Sequence, residues 1–466
     1  MGIKSFVLPE GMVKKNLICG DIPTARSAYG RSLNMAWPSA LEAVFVSLIS
    51  SVDTMMVGGL GSAAISAVGI CTQPKFILLA AIMTLNVGVT AVVARRKGEG
   101  DTAGAVRTLK QSLFVCFCIA FVLNVLGEIF APQLLTLAGA QPDYIDTAVT
   151  YFRIMLIGNF FSSLSLTMTA AQRGYGNTRI SMITNCTANL VNVLMNAMLI
   201  NGLLFFPKLG VMGAAIATAI GNFIAFLIAL ISVVRTDVRL SISNNISWRP
   251  TKKDMASVSK VWSSAFVEQI FIRIGFFLYA GMVARLGTVL YATHQICMQI
   301  INMTFSVGDG LGIATTSLVG QSLGEKRPDL AFVYARIGQN IALVMGVLLA
   351  IILVTLRTPL LSLFTNEKAV IQEGQVIMLI VAITSLTQPP QVVTVGTLRG
   401  AGDNKFVAFS SLVCIGIIRP FLSWVLCYPL GLGLVGAWVG LYIDQISRAI
   451  FYMCRFFSAK WTKVKL

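Results

Sequence analysis

Three carboxylates occupy positions where a carboxylate is costly. Glu42 and Asp53 lie in one apolar run that begins near residue 32, and Glu268 lies in a second that begins near residue 257. An ionisable group at the centre of a membrane-spanning helix costs roughly 2.5–3.5 kcal/mol on insertion scales, so each needs a compensating partner or a role that uses the charge. Glu42 and Asp53 are eleven residues apart. At about 100° per residue they return to nearly the same helix face, about 16 Å further along, and both can line one cavity. The chemistry open to them is proton exchange, or coordination of a hard cation such as Na+ together with amide or hydroxyl oxygens.

Such oxygens are available in a later run. Asn185, Asn189, Asn192 and Asn196 recur mostly at i, i+4 and draw a polar stripe down one helix face. Amides in a membrane serve as glue between helices or as carbonyl ligands for a cation, and the spacing allows both. Thr218, one run further on, can add a hydroxyl to the same place. Asp444 and Arg448 are an i, i+4 pair that neutralises itself. Glu268 lines a cavity or is buried in an ion pair with another helix. Arg273, five residues on and turned by about 140°, is not its natural partner. Lys75, Asp309 and Arg419 acquire no role from spacing alone.

Other chemistries find little support. There is no Gly-x-x-x-x-Gly-Lys-(Ser/Thr) phosphate loop, and Gly431-x-Gly433-x-x-Gly436 joins two apolar runs without a βαβ unit. His294 is the single histidine and reads as a packing residue. The nine cysteines include no Cys-x-x-Cys and fall mostly inside apolar runs, where they act as small hydrophobes. No enzyme activity and no cofactor are expected.

The elements that must position these groups follow from composition. The chain is 56% hydrophobic and 12% charged, with a mean hydropathy of +0.79, whereas soluble domains carry about 25% charged residues. Apolar runs of about 20 residues span a bilayer as helices. They occur at about 32–57, 68–94, 111–130, 148–171, 180–202 and 210–234, then at about 257–284, 291–320, 332–356, 372–397, 406–428 and 433–457. That predicts an all-α membrane protein of twelve transmembrane helices. The expected divisions are a tail at 1–31, a six-helix bundle at 32–234, a polar linker at 235–256, a second bundle at 257–457 and a tail at 458–466.

The net charge of +17 is not the footprint of a nucleic-acid binder, because the cations sit in alternate loops rather than on a stripe interleaved with aromatics. One side collects 27 of the 36 Lys and Arg residues, which places both termini and the linker in the cytoplasm and the chain in the plasma membrane.

The two halves are a duplication. Arg173-Gly174-Tyr175-Gly176-Asn177 and Arg399-Gly400-Ala401-Gly402-Asp403 are related by an offset of 226, as are Gly98-Glu99 and Gly324-Glu325. Leu209-Gly210-Val211-Met212-Gly213-Ala214 matches Leu432-Gly433-Leu434-Val435-Gly436-Ala437 at 223. The larger offset carries Glu42 onto Glu268. Six spans per half make both halves enter from the same side, so the bundles are expected to be related by an axis along the membrane normal, with a cavity between them.

Pro38 fifteen residues before Val52-Asp53-Thr54, then Met56-Val57-Gly58-Gly59-Leu60-Gly61, the paired Arg-Gly turns, Gly213-Ala214-Ala215-Ile216-Ala217-Thr218 and Ala292-Thr293-His294-Gln295 together resemble the multidrug and toxic compound extrusion (MATE) family. The resemblance covers roughly 32–457. It implies two six-helix bundles that export small amphiphilic, often cationic compounds against inward flow of Na+ or H+. Asp53 would couple ion and drug, Asn192, Asn196 and Thr218 would form the polar site beside it, and Glu268 would line the second bundle. On this reading Asp53 is also the candidate Na+ ligand, Glu42, Asp53 and Glu268 belong to the substrate cavity, and Pro38, Arg173, Gly174, Arg399 and Gly400 are structural motif residues.

The expected partners are those substrates, the coupling ion and membrane lipid, for a monomer that binds no nucleic acid. Two departures stand out. An amide, Asn196, replaces the aspartate of some members, and Gln388-Pro389-Pro390 stands where some carry an acid. A flippase for a lipid-linked envelope precursor would need an excess of cavity cations, and a membrane prenyl transferase would need clustered aspartates for Mg2+. The intramembrane acids here are at least as prominent as the cations, and the chain has no Asp-Asp-x-x-Asp cluster.

Overall fold

Helix is the only regular element among the described residues, as expected where lipid leaves the backbone to satisfy its own hydrogen bonds. The computed structural model describes the chain outside residues 1–7, 14–17, 59–61, 139–143, 203–206, 236–239, 244–246, 366 and 465–466. The long helices are α1 Ala25–Gly58, α2 Ser62–Gly98, α3 Thr102–Ile129, α4 Ile145–Tyr175, α5 Thr178–Asn201, α6 Gly210–Val234, α7 Lys252–Ala284, α8 Thr288–Gly324, α9 Pro328–Thr355, α10 Lys368–Gly400, α11 Asn404–Cys427 and α12 Gly433–Phe457. Among the described residues eleven helices are long and apolar enough to cross a bilayer. The twelfth, α12, has 25 residues but includes Asp444, Arg448 and Arg455, which lower its apolarity.

The chain forms two compact units, Leu41–Trp262 and Met1–Ala40 with Ser263–Leu466. Their internal packing repeats. In the first unit α2 packs on α4, α4 on α6, and α5 on α6; in the second α8 packs on α10, α10 on α12, and α11 on α12. The helix α1 changes unit between Ala40 and Leu41, just after Pro38, whose missing N–H interrupts the helix ladder.

The paired Arg-Gly turns have the same backbone in both units. Gly176 at φ 94° and Gly402 at φ 84° end α4 and α10 in the left-handed region that glycine adopts without strain. The earlier glycines serve close approach. A Cβ on Gly174 would meet the Thr90 carbonyl oxygen, and one on Gly400 would meet that of Thr316, the residue that the repeat offset pairs with Thr90. The two threonines also match: Thr90 Oγ1 donates to Ala170 O at 3.1 Å and Thr316 Oγ1 to Gly396 O at 2.9 Å.

Within α11 the segment Leu412–Ile418 widens into a π-helix that runs into Pro420, the residue that can supply no N–H to the ladder. In the same unit the amino-terminal segment is pinned. Cys19 N donates to Asp329 Oδ2 at 3.1 Å and Arg327 Nη2 donates to Asp21 O at 2.8 Å. Hydrogen bonds to the Asp329 carboxylate hold the Arg327 guanidinium above its ordinary pKa.

Candidate functional site

Small residues let α5 and α6 come together. Gly213, Ala217, Gly221 and Ala225 recur every four residues on α6, and a Cβ on Gly221 would lie 2.9 Å from the Ala188 carbonyl oxygen and 3.1 Å from Asn192 Cβ. This approach brings the asparagine stripe against Thr218. Asn192 Nδ2 donates to Thr218 Oγ1 at 3.2 Å, the Thr218 hydroxyl donates to Ala214 O at 2.9 Å, and Asn196 Nδ2 donates to Asn192 Oδ1 at 3.4 Å. Three of the residues expected at a cation site are therefore one hydrogen-bonded chain.

That chain borders a cavity of about 350 Å3 inside the Leu41–Trp262 unit. Asn185, Asn189 and Asn192 of α5 line it with Asn159 of α4, Thr218 and Asn222 of α6, and Lys75 of α2. Asn196 is fully buried behind the wall. Asn159 Oδ1 is buried without a donor, an acceptor that a cation or an N–H could satisfy. The stripe thus acts both as glue across to α6 and as the polar lining of a chamber.

Glu42 stands one hydrogen bond behind this lining. Its Oε1 accepts from Asn185 Nδ2 at 2.6 Å and Ser181 Oγ at 3.1 Å, with Arg173 Nη1 at 3.6 Å. Arg173 also donates to Ser181 Oγ at 2.9 Å. In the other unit Glu268 Oε1 accepts from Arg399 Nη2 at 2.9 Å and Ser411 Oγ at 3.4 Å. The offset of 226 maps Glu42 on Glu268, Arg173 on Arg399 and Asn185 on Ser411. Each half therefore buries one acid against the arginine of its Arg-Gly turn, with a polar side chain at the same position of the next helix. In both acids the second oxygen, Oε2, is buried without a donor.

The Asp53 side chain lies outside the described residues, so Glu42, Asn192, Asn196 and Thr218 are the expected first-bundle residues whose geometry is on view. Among the described residues no group of three or more His, Cys, Asp or Glu side chains could hold a metal ion. His294 packs between Tyr279 and Trp438, with ring centroids 5.4 and 5.6 Å away.

Several residues escaped sequence reasoning. Arg173 and Arg399 read as turn markers rather than as counter-charges, and Ser181 and Ser411 carried no signal of their own. The repeat register could have paired Asn185 with Ser411 in advance. Arg419, left without a role, donates through Nε at 3.0 Å and Nη2 at 2.6 Å to Asp444 Oδ2. Asp444 therefore serves two arginines, because Arg448 Nε lies 3.2 Å from its Oδ1.

The MatE family profile matches residues 38–198 and 264–425, two segments whose starts are related by the same offset of 226. The chain is 25% identical over 433 residues to a probable multidrug resistance protein NorM of Thermotoga maritima, covering 92% of each. It is 24% identical over 433 residues to the uncharacterized transporter YisQ of Bacillus subtilis, covering 92% of this chain and 94% of that one. Among solved structures, a MATE in the straight conformation superposes with a TM-score of 0.85 at 21% identity, over 93% of this chain and 97% of the other. An outward-facing MATE family transporter of the MOP superfamily superposes equally well, with a TM-score of 0.85 at 21% identity over 93% and 97%.

Proposed function

Because the chain belongs to the MatE family of membrane transporters, we propose that it is a secondary multidrug efflux antiporter that exports small amphiphilic cations in exchange for Na+ or H+, with its coupling site in the Leu41–Trp262 unit. The observation that carries this reading is the chamber of about 350 Å3 walled by Asn185, Asn189, Asn192 and Thr218. Carbonyl and hydroxyl oxygens are the ligands a hard cation accepts in place of water. The amides of this wall carry no charge, and Lys75 in the lining adds a positive one, so the wall cannot repay dehydration of a cation alone. Asp53, on α1, supplies that charge in this proposal.

Glu42 is a poor substitute, since Arg173 and two donors already neutralise it. Its place is instead to hold Asn185, and so the cavity wall, in register. Ion and drug then exclude one another from a shared negative site. Each must bind one state of the protein better than the other, as any ligand-driven shift requires. Relatives described as multidrug resistance proteins support the substrate class.

The test is efflux of a fluorescent organic cation from energised vesicles. Asn192→Leu with Thr218→Val should slow efflux by about tenfold or more, the effect of losing roughly 1.4 kcal/mol of ion binding. Unchanged efflux in this pair would remove the chamber from the coupling pathway.

A further inference from the structure

The repeat also duplicates a groove, and the two copies have opposite character. In the Leu41–Trp262 unit a cavity of about 210 Å3 is walled by Leu113, Phe114 and Phe117 of α3 with Leu164, Phe226 and Leu230. Offsets of 226 and 223 carry these onto Gln339, Asn340, Leu343, Pro390, Ala449 and Met453, and all six of those residues line a cavity of about 260 Å3 in the other unit. An apolar groove on a membrane helix is filled by acyl chains. Its partner has acquired polar walls in the same place.

Those walls are not self-satisfied. Gln339 and Gln391 are each 4% exposed, and the Oε1 of both is buried without a donor. The amide orientation of Gln339 is fixed by its neighbour. The Thr394 hydroxyl already donates to Pro390 O at 2.7 Å, so the Gln339 group at 3.0 Å from Thr394 Oγ1 must be the donating Nε2. Oε1 is left as a buried acceptor in the wall of the cavity, which costs free energy until something donates to it.

Arg336, which also lines the cavity, sits at the position of Lys110 in the repeat. Its guanidinium lies over the rings of Phe456 and Phe457, 5.5 and 4.7 Å from their centroids. Those are the last two residues of α12, so the charge lies level with the end of that helix. Side chains on a helix lean toward its amino terminus, which moves this guanidinium further toward the Pro328 end of α9. Gln339 lies three residues deeper, about 4.5 Å of helix rise. Leu343 and Leu386, both 37% exposed, follow at the outer rim.

We propose that this groove binds a single-chain phospholipid, a lysophospholipid. Its phosphate would accept from the planar fork of Arg336, as guanidinium and phosphate geometry favours. The free hydroxyl on the adjacent glycerol carbon, one step deeper, would donate to Gln339 Oε1 or Gln391 Oε1. The one acyl chain would lie against Leu343 and Leu386. A diacyl lipid carries the same phosphate but an ester in place of that hydroxyl, and so offers no donor on the acyl side of the phosphate, where the two amide oxygens lie.

The test is native mass spectrometry of the full-length protein, titrated in detergent with lysophosphatidylglycerol, diacyl phosphatidylglycerol and glycerol 3-phosphate. The expected result is one lysophosphatidylglycerol per protein, retained at concentrations about tenfold below those needed for the diacyl lipid, a preference worth one lost hydrogen bond to a buried acceptor. Glycerol 3-phosphate should not displace it at equal concentration. Arg336→Gln should abolish retention, and Gln339→Leu, the residue of the other half, should erase the preference over the diacyl lipid. Equal binding of the two lipids by the wild-type protein would overturn the proposal, as would retention unaffected by Arg336→Gln. Displacement by glycerol 3-phosphate would show a site for a free phosphoester and overturn the lipid assignment.

Discussion

Arg399 Nη2 lies 2.9 Å from Glu268 Oε1, and at the matching place in the first half Arg173 Nη1 lies 3.6 Å from Glu42 Oε1. Both acids are buried, and both arginines end the helix before an Arg-Gly turn. Breaking a buried pair by removing one partner costs about 3–5 kcal/mol, because the other charge is left without compensation. Arg399→Gln should therefore lower the melting temperature of the purified protein strongly. Adding Glu268→Gln in the same chain should restore much of the loss. If the two substitutions are simply additive, the pair does not hold the unit together.

The matching position on the next helix is Asn185 in one half and Ser411 in the other. A hydrogen bond to a charged group contributes about 1.5–3 kcal/mol. Asn185→Leu should cost that much by thermal melting, and Asn185→Ser, which installs the side chain of the second half, should recover part of it. Equal melting of the two variants would mean that the bond to Glu42 carries no weight.

Gly174 and Gly400 are the close-contact glycines of the duplicated turn. Their added methyl would strike backbone carbonyls that cannot rotate away, and overpacking of this kind costs about 1–3 kcal/mol. Gly30 in α1 has nothing within 4 Å of the same methyl, and there alanine should instead stabilise the helix by about 0.5–1 kcal/mol. Comparing the three alanine variants by thermal unfolding checks the assignment. Parallel behaviour of all three would contradict it.

Asp444 accepts from Arg419 and Arg448, and its side chain has no exposed surface. Replacing it with asparagine leaves two buried guanidinium groups facing each other. Asp444→Asn should lose about 3–5 kcal/mol, more than Arg448→Gln, which keeps the shorter Arg419 contact. Expression and detergent melting rank the two, and the reverse order would show that Arg448 is the principal partner.

The fold was legible because its signals are long. Runs of about 20 apolar residues and a register that stays constant along most of the chain survive any local ambiguity. Even α12, interrupted by Asp444 and Arg448, could be located by matching Gly433-Leu434-Val435-Gly436-Ala437 to its counterpart. The stripe of Asn185, Asn189, Asn192 and Asn196 was legible as one polar helix face from its spacing, and the structure sets that face against Thr218.

The acid-arginine pairs were not legible. Glu42 is on α1 and Arg173 at the end of α4, far apart in the chain, and nothing local in an Arg-Gly turn indicates which carboxylate it will meet. Ser181 carries no pattern at all, Ser411 carries only its repeat register with Asn185, and the meaning of both comes from the acids they meet. The change of unit within α1 was hidden likewise, because Pro38 is its one local mark and the apolar run continues across Ala40 and Leu41.

In the proposed mechanism a coupling ion and an organic cation compete for one site that Asp53 and the Asn192–Thr218 wall share. This competition is tested by binding of a fluorescent organic cation to the purified protein, titrated with Na+ at fixed pH and with pH in the absence of Na+, for the wild-type chain and Asp53→Asn. Competition gives saturable displacement of the dye by one of the two ions from the wild-type protein, and loss of that displacement in Asp53→Asn. Displacement that is the same in both proteins would contradict it.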